Sequence, residues 1–412
     1  MFTQGQDLAA ELSHPFYVDA DGVNRPPGPE KHPHYARFAA SGSGLVPVLR
    51  QVGGELVPAL LICRYVDVRE VLRRQDLFSR AAAAQADQID VAGTMLGMDG
   101  PEHARVRGTV KDCLTKPAVA ELSAKVRSAA EAHLAGLVAR GRPADLVRDF
   151  AIPFTLDVVC DLLGLPREDR MQFRRWGDMF LGAGDLSRDE AAQSALEMGG
   201  YLWGQLERRR GCPAGDLLTQ IATAAADQPM DVQIKLPISL VVGGWETAAS
   251  SIATFVHVLR TRPYERDQTG WEYLLDHPEK VDSAVTELER LYSTSNGDDM
   301  PRRVMADVQL PSGARLSEGD IVIPSHDAAN RDPEIFPDPE RMDFDRDPNP
   351  HLSFGYGPHY CIGAHLGALE VRAAIALLLR ELPGLQLAVP ADEVQWKAGH
   401  AILGPTGLPV TW

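Results

Sequence analysis

Ten residues, Phe354-Gly355-Tyr356-Gly357-Pro358-His359-Tyr360-Cys361-Ile362-Gly363, restrict what this chain can fold into more than any other stretch. They set a cysteine just before an apolar-periodic helix that is predicted to start near Ala364. A cysteine at a helix N-terminus has its thiolate favoured by the macrodipole and by free backbone N–H groups, and hydrogen bonds to the sulfur tune a metal bound there. Glycines let the backbone pass close to a flat macrocycle, while Phe354 can pack near the sulfur and exclude water. Such a loop suits one axial thiolate on the iron of a planar cofactor. The plain alternative is a buried free thiol in a Gly-rich turn.

The loop ends a long irregular stretch. From Asp332 to Pro350 the chain is rich in Pro and Asp, which no regular element tolerates, and from Val304 to Ile323 it alternates around turns at Gly313 and Gly319. Short β-branched runs at Leu45 to Val52 and Leu56 to Cys63, with a helix-like segment at Val66 to Arg74, predict a small sheet. The β-rich regions therefore fall near residues 40–65 and 304–325. Elsewhere apolar residues recur at helical spacing over Val106 to Leu114, Val119 to Leu137, Phe154 to Leu163, Ala192 to Arg209, Leu236 to Leu259, Val281 to Leu291 and Leu366 to Leu382. The expected fold class is mainly α with small β-sheets. No Pro/Gly/Ser-rich linker or internal repeat divides the 412 residues, which read as a single domain, 1–412.

Composition narrows the function. A formal charge of -16 argues against nucleic acid or an anionic membrane as partner. No apolar run approaches the roughly 20 residues that span a bilayer, and Met1 to Glu11 lack the features of a secretory signal, so a cytoplasmic location is expected. Cys63, Cys113, Cys160, Cys212 and Cys361 make an odd count without CxxC or Cys/His pairing, which fits a reducing compartment better than disulfides or zinc.

Three further constellations have both a chemical and a plain reading. Glu287 and Arg290 share a helix face and can pair, as any solvated Glu-x-x-Arg would. His103 and Arg107, four apart after Pro101, put two cations on one side of a helix, where they repel unless an anion intervenes. In Gly243-Gly244-Trp245-Glu246-Thr247-Ala248, two mid-helix glycines cost roughly 1 kcal/mol each against Ala. Something must need the space. Glu246 and Thr247 in an otherwise apolar helix also need partners, although a kink with Thr bonding back to a carbonyl, helped by Pro237, is the simpler account.

Phe-Gly-x-Gly-x-His-x-Cys-x-Gly closely resembles the cysteine loop of the cytochrome P-450 family, and the resemblance extends over nearly the whole chain. It implies a soluble bacterial-type haem-thiolate monooxygenase, a single cytochrome P-450 fold with haem held between a long distal helix and the helix after the cysteine loop. Cys361 would ligate the iron of haem b, with Phe354, Gly355, His359 and Gly363 contacting the cofactor. His103, Arg107, His359 and Arg302 would bind its propionates, although adjacent Arg303 competes with Arg302 for that place. Gly244 and Ala248 would face the haem, and Glu246 and Thr247 would deliver protons to bound O2. Glu287, Arg290 and Arg341 in Pro339-Glu340-Arg341-Met342 would form a structural triad. One departure follows the cysteine: Leu366-Gly367-Ala368 stands where the family usually has Leu-Ala-Arg.

The resemblance also implies a small organic substrate, with bacterial secondary metabolism as the setting. Transfer of one oxygen atom to a C–H or C=C bond is expected; oxidative coupling, ring closure or desaturation by the same cycle, and a haem protein without oxygenase activity, are the alternatives. The chain has no flavin or nicotinamide fingerprint, so a ferredoxin and its reductase are the expected electron donors, and basic residues Arg105, Arg107, Lys111, Lys116 and Arg372 could steer an acidic one. A monomer is expected. Substrate recognition would fall at Ser79 to Met98, Trp176 to Arg188, Thr294 to Met300 and Ala401 to Leu403, Ile402 included. Trp245 would either narrow the pocket or pack into neighbouring helices.

Overall fold

A computed structural model of the chain describes residues 13–14, 28–31, 33–40, 44–52, 55–87, 93–180, 188–265, 267–294, 300–397 and 402–412. These gather into two compact units: the described parts of Met1–Ala92, Leu96–Pro101 and Thr286–Cys361, and those of Gly93–Met95, Glu102–Val285 and Ile362–Trp412.

The first unit is organised by a six-stranded sheet in the order Ser13–His14, Leu45–Val52, Glu55–Ile62, Ile321–Pro324, Arg302–Val304, Phe78–Ser79. Both predicted β-rich regions enter it. Leu45–Val52 and Glu55–Ile62 pair antiparallel with Leu45 opposite Ile62, and Glu55–Ile62 takes Ile321–Pro324 alongside in parallel with Leu60 opposite Val322. Side chains alternate across a strand, so neighbouring residues serve two cores. Ile62 and Val322 join Val68, Phe78 and Phe336 in one, whereas Leu61 and Ile323 join Phe38 and Cys63 in the other. The same alternation turns Arg302 and Val304 inward and leaves Arg303 exposed.

The irregular stretch before the cysteine loop is fixed by buried charge. Glu287 and Arg290 have fully buried side chains and pair at 2.7 Å. Arg290 donates to the carbonyls of Asn330 at 2.8 Å, Pro339 at 2.7 Å and Arg341 at 3.3 Å. The third member of this triad differs from the expected one. Arg346, not Arg341, brings its guanidinium to Glu287, Nε to Oε1 at 3.2 Å, while the exposed Arg341 supplies only its backbone carbonyl. Asn349 Nδ2 at 2.9 Å and the Asp343 N–H at 3.1 Å complete the Glu287 carboxylate.

The second unit is helical. Its axis is Met230–Thr261, 32 residues long and extending the predicted Leu236 to Leu259 at both ends. Val241, Trp245, Ile252, Phe255, Val256, Val258 and Leu259 are buried around most of its circumference, as a core helix requires. Ile152–Leu163, Arg188–Gly211 and Ala364–Glu381 pack against it. A three-stranded sheet places Pro409–Thr411 between Gln386–Leu387 and Ala144–Asp145. Among the described residues no helix is long and apolar enough to cross a membrane.

Ala364–Glu381 carries an unusual group. Glu370 is buried, neither carboxyl oxygen has a hydrogen-bond partner among the described residues, and burial holds its proton well above the ordinary glutamate range. The folded chain thus keeps a proton that the unfolded chain loses first as pH rises. Stability from this group is complete below the usual carboxylate range and declines as pH climbs through and beyond it. Glu370→Gln is expected to flatten that decline, which urea midpoints at mildly acidic and mildly alkaline pH would read.

Candidate active site

In the first unit the cysteine loop is pinned at both ends. The Cys361 N–H donates to the Phe354 carbonyl at 2.8 Å, closing the turn, and Gly357–His359 forms a single 3-10 turn inside it. Gly355 and Gly357 have φ of 72° and 71°, where a side chain is strained. At Gly357 a Cβ would also stand 2.8 Å from the Leu72 carbonyl oxygen, so the helix Tyr65–Arg73 presses directly on the loop. Phe354 lies half-buried with its ring 6.5 Å from that of Tyr360, and Gly363 caps the helix Ala364–Glu381. Cys361 is an exposed thiol. Cys160 is its opposite, buried where loss of solvent pushes the thiol up to about 12.

Beside the loop, the first unit assembles cations around one carboxylate. Asp99 accepts from Ser79 Oγ at 2.7 Å and from the Ala81 N–H at 2.9 Å, with His359 Nε2 at 3.6 Å. Burial pushes its proton affinity up, but His359, Ser79 and the backbone donors outweigh that and hold the carboxyl well below its usual range. Arg302 is fully enclosed and donates to the Met300 carbonyl at 2.9 Å; burial, and next the charge of Arg80, bring its guanidinium down to about 9, with Asp99 opposing. His359 is lowered by burial first, with Arg302 and Arg80 adding to that and Asp99 resisting. Arg302 is thus a buried guanidinium whose hydrogen-bond acceptors among the described residues are the Met300 and Pro301 carbonyls and no carboxylate. The anionic arms of a cofactor would suit it. Arg302 is enclosed, whereas Arg303 beside it on the strand is exposed. Arg80 and Asp99 are not readable from the sequence, since an Arg after a short strand and an Asp before a helix carry no periodic signal.

In the second unit, His103 is buried and Arg107 half-buried, both on the helix Gly100–Gly108. The two mid-helix glycines have separate reasons. A Cβ on Gly244 would lie 2.8 Å from Val159 Cγ2, whereas one on Gly243 meets nothing within 4 Å. Gly244 is required by packing on Ile152–Leu163, and Gly243 lies on the open side. Gly244→Ala is accordingly expected to lower stability by about 1–3 kcal/mol through overpacking, measurable as a shift in urea midpoint of the holoprotein. Thr155 Oγ1 of the same neighbouring helix donates to the Trp245 carbonyl at 3.0 Å.

Trp245 does not reach a pocket. Its side chain is wholly buried, so of the two expected roles the packing one stands and the substrate contact is withdrawn. Ala248 is buried too, while Thr247 stays partly open and donates Oγ1 to the Gly243 carbonyl at 2.9 Å. Glu246 is buried and has a cation: Lys397 Nζ donates to its Oε1 and, at 3.0 Å, to Ser250 Oγ. Ile402 is half-buried in the stretch that follows. Of the expected substrate segments, residues 88–92, 181–187, 295–299 and 401 lie outside the described residues. Arg105, Lys111 and Lys116 are exposed, and Arg372 lies 3.9 Å from Asp282.

Comparison with known proteins agrees with this architecture. The sequence pattern of the Cytochrome P-450 family matches residues 275–387. The chain is 38% identical to mycinamicin IV hydroxylase/epoxidase of Micromonospora griseorubida over 86% of its own length and 89% of that protein. It is 37% identical to nocardicin C N-oxygenase of Nocardia uniformis subsp. tsuyamanensis, covering 92% of this chain and 95% of the relative. Among solved structures, a variant of the mixed-function P-450 MycG in complex with mycinamicin V superposes with a TM-score of 0.86 at 35% identity, over 97% of this chain and 100% of that one. Members of the family use haem iron held by a cysteine thiolate, activate O2 and act on small molecules with separate redox partners. The chain belongs to the cytochrome P-450 family and is a haem-thiolate monooxygenase of the bacterial type.

Proposed function

We propose that the chain inserts one oxygen atom into a C–H or C=C bond of a bacterial secondary metabolite, with haem b ligated by Cys361 Sγ. The observation that carries the site assignment is Arg302, a buried guanidinium that among the described residues meets only the Met300 and Pro301 carbonyls and so calls for an anion. Haem propionates have that charge, and the exposed Cys361 in a glycine-lined loop has the sulfur. The residues present fit the group. Carried over residue by residue from the family resemblance, His103 and Arg107 are proposed for the propionates, and Phe354, Gly355, Gly363 and Ala248 for the ring.

When bound, thiolate-ligated haem supplies oxygen activation and favours O–O cleavage. The chain's own residues do the rest. Thr247, partly open with its Oγ1 donating to the Gly243 carbonyl, is proposed as the hydroxyl of the proton relay. Glu246, one residue away and largely buried, is proposed as the acid that relays a proton to that hydroxyl. The substrate class follows the relatives, a macrolide hydroxylase/epoxidase and an N-oxygenase of a nocardicin. A ferredoxin is the proposed donor, steered by the exposed Arg105, Lys111 and Lys116, and the enzyme is proposed to work as a cytoplasmic monomer.

The reduced protein with carbon monoxide should absorb at the far-red-displaced Soret position that thiolate ligation gives. Cys361→His is expected to move that band to the position of an imidazole ligand. A wild-type spectrum already of the imidazole type would refute the assignment. A ligand screen by spin-state shift, followed by turnover of the best binder, tests the substrate class.

A further inference from the structure

Glu246 is held by a residue that no cysteine-loop or distal-helix motif contains. Lys397 lies 151 positions further along the chain. Its ammonium donates to Glu246 Oε1 and to Ser250 Oγ, one turn on, and all three side chains are largely buried. The ammonium is itself positioned from its backbone. The Lys397 N–H donates to the Gly404 carbonyl at 2.9 Å, and Trp396 bridges Pro405 in antiparallel fashion. Gly404 rests against the long helix so closely that a Cβ there would be 2.8 Å from Ser250 Cβ. Two turns further along, Trp396 meets His257 edge to face at 5.1 Å.

We propose that Lys397 is the positioning residue for the distal acid: it fixes the side-chain conformation of Glu246, so that the segment paired through Trp396 and Pro405 sets how efficiently protons reach the reaction. This rests on the reading of Glu246 as proton donor. A buried carboxylate without a partner is unfavourable and free to change its conformation, and Lys397 is the only cation hydrogen-bonded to it among the described residues. Serine at position 250 divides the ammonium's donors between two turns of the helix, which fixes its place along the axis as well as across it. The long flexible lysine stem, joining the bridged segment to the helix, makes the acid's geometry depend on that segment.

The test compares Lys397→Met, Lys397→Arg, Glu246→Gln and the double variant Lys397→Met/Glu246→Gln in the haem-loaded protein. A plant-type ferredoxin with its reductase serves as donor and mycinamicin IV as probe. Two readings are taken: reductant-driven oxygen uptake with its solvent deuterium isotope effect, and the urea midpoint. Lys397→Met is expected to slow uptake about tenfold and raise the isotope effect, as loss of a positioning partner does. Lys397→Arg should restore most of the rate. In the Glu246→Gln background the methionine should change neither the rate nor the midpoint by as much as it does alone.

Equal effects of Lys397→Met in both backgrounds, or an unchanged rate while Glu246→Gln is slow, would overturn the proposal. If Glu246→Gln itself runs at the parental rate, the proton-donor reading fails and the proposal fails with it; the midpoint cycle then still reports whether the two side chains are coupled. Should Lys397→Met not retain haem, Lys397→Gln, which still donates an amide N–H, carries the same comparisons.

Discussion

Glu287→Ala is expected to lose about 3–5 kcal/mol of stability, since it leaves the buried guanidiniums of Arg290 and Arg346 facing one another without their carboxylate. A domain is ordinarily stable by only about 5–15 kcal/mol, so most of the chain should fail to accumulate as haem-loaded protein. Three donors besides Arg290 converge on Glu287: Arg346 Nε, Asn349 Nδ2 and the Asp343 N–H. Arg290 meanwhile ties down the carbonyls of Asn330, Pro339 and Arg341. Removing the carboxylate therefore frees the irregular stretch that leads to the cysteine loop. Urea unfolding followed by tryptophan fluorescence, with the yield of thiolate-type spectrum, measures both consequences. Arg346→Ala should fall on the same side, whereas Arg341→Ala should stay within about 0.5 kcal/mol of the parent because only its backbone takes part. Equal losses from the two arginine variants would contradict this arrangement.

Glu246→Gln is expected to slow product formation about a hundredfold, within the range general acids supply, while the spin-state titration of a bound ligand stays unchanged. Glutamine keeps the shape and still accepts from Lys397, so packing along the long helix should survive; only the exchangeable carboxyl proton is lost. Thr247→Ala should act differently. It removes the hydroxyl anchored to the Gly243 carbonyl, and reducing equivalents should then appear as peroxide at the expense of product. A Glu246→Gln enzyme with parental turnover, or a Thr247→Ala enzyme as tightly coupled as the parent, would remove the proton route.

Much of the fold is legible in the amino-acid sequence by itself. Val281–Leu291 and the long helix follow from apolar residues at helical spacing, and Leu45–Val52 from its β-branched run. The cysteine loop is legible because glycine at positive φ, a helix start and a sulfur leave few alternatives. Gly270–Asp276 goes unread, although Thr269 and Glu272 form the reciprocal capping pair that announces a helix; at seven residues it is too short for its period to stand out. The third arginine of the buried cluster is misplaced by sequence reasoning for a different reason. Coil has no period, so nothing in the sequence between Pro337 and Pro350 says whether residue 341 or 346 turns inward. Lys397 and Arg80 escape because a partner far away in sequence leaves no local mark, and Trp245 because an aromatic at an apolar helix position reads alike whether it meets a ligand or a neighbouring helix.

The seam between the distal helix and Ile152–Leu163 has a practical outcome for laboratory evolution. Val159 sets how near the two backbones come at Gly244, and Thr155 sets the rotation by holding the Trp245 carbonyl. Libraries that vary only pocket-lining positions would leave those two dials untouched. A smaller or larger side chain at 159 is expected to change the spacing of the two helices at Gly244, and with it the position of Glu246 and Thr247, without editing either residue.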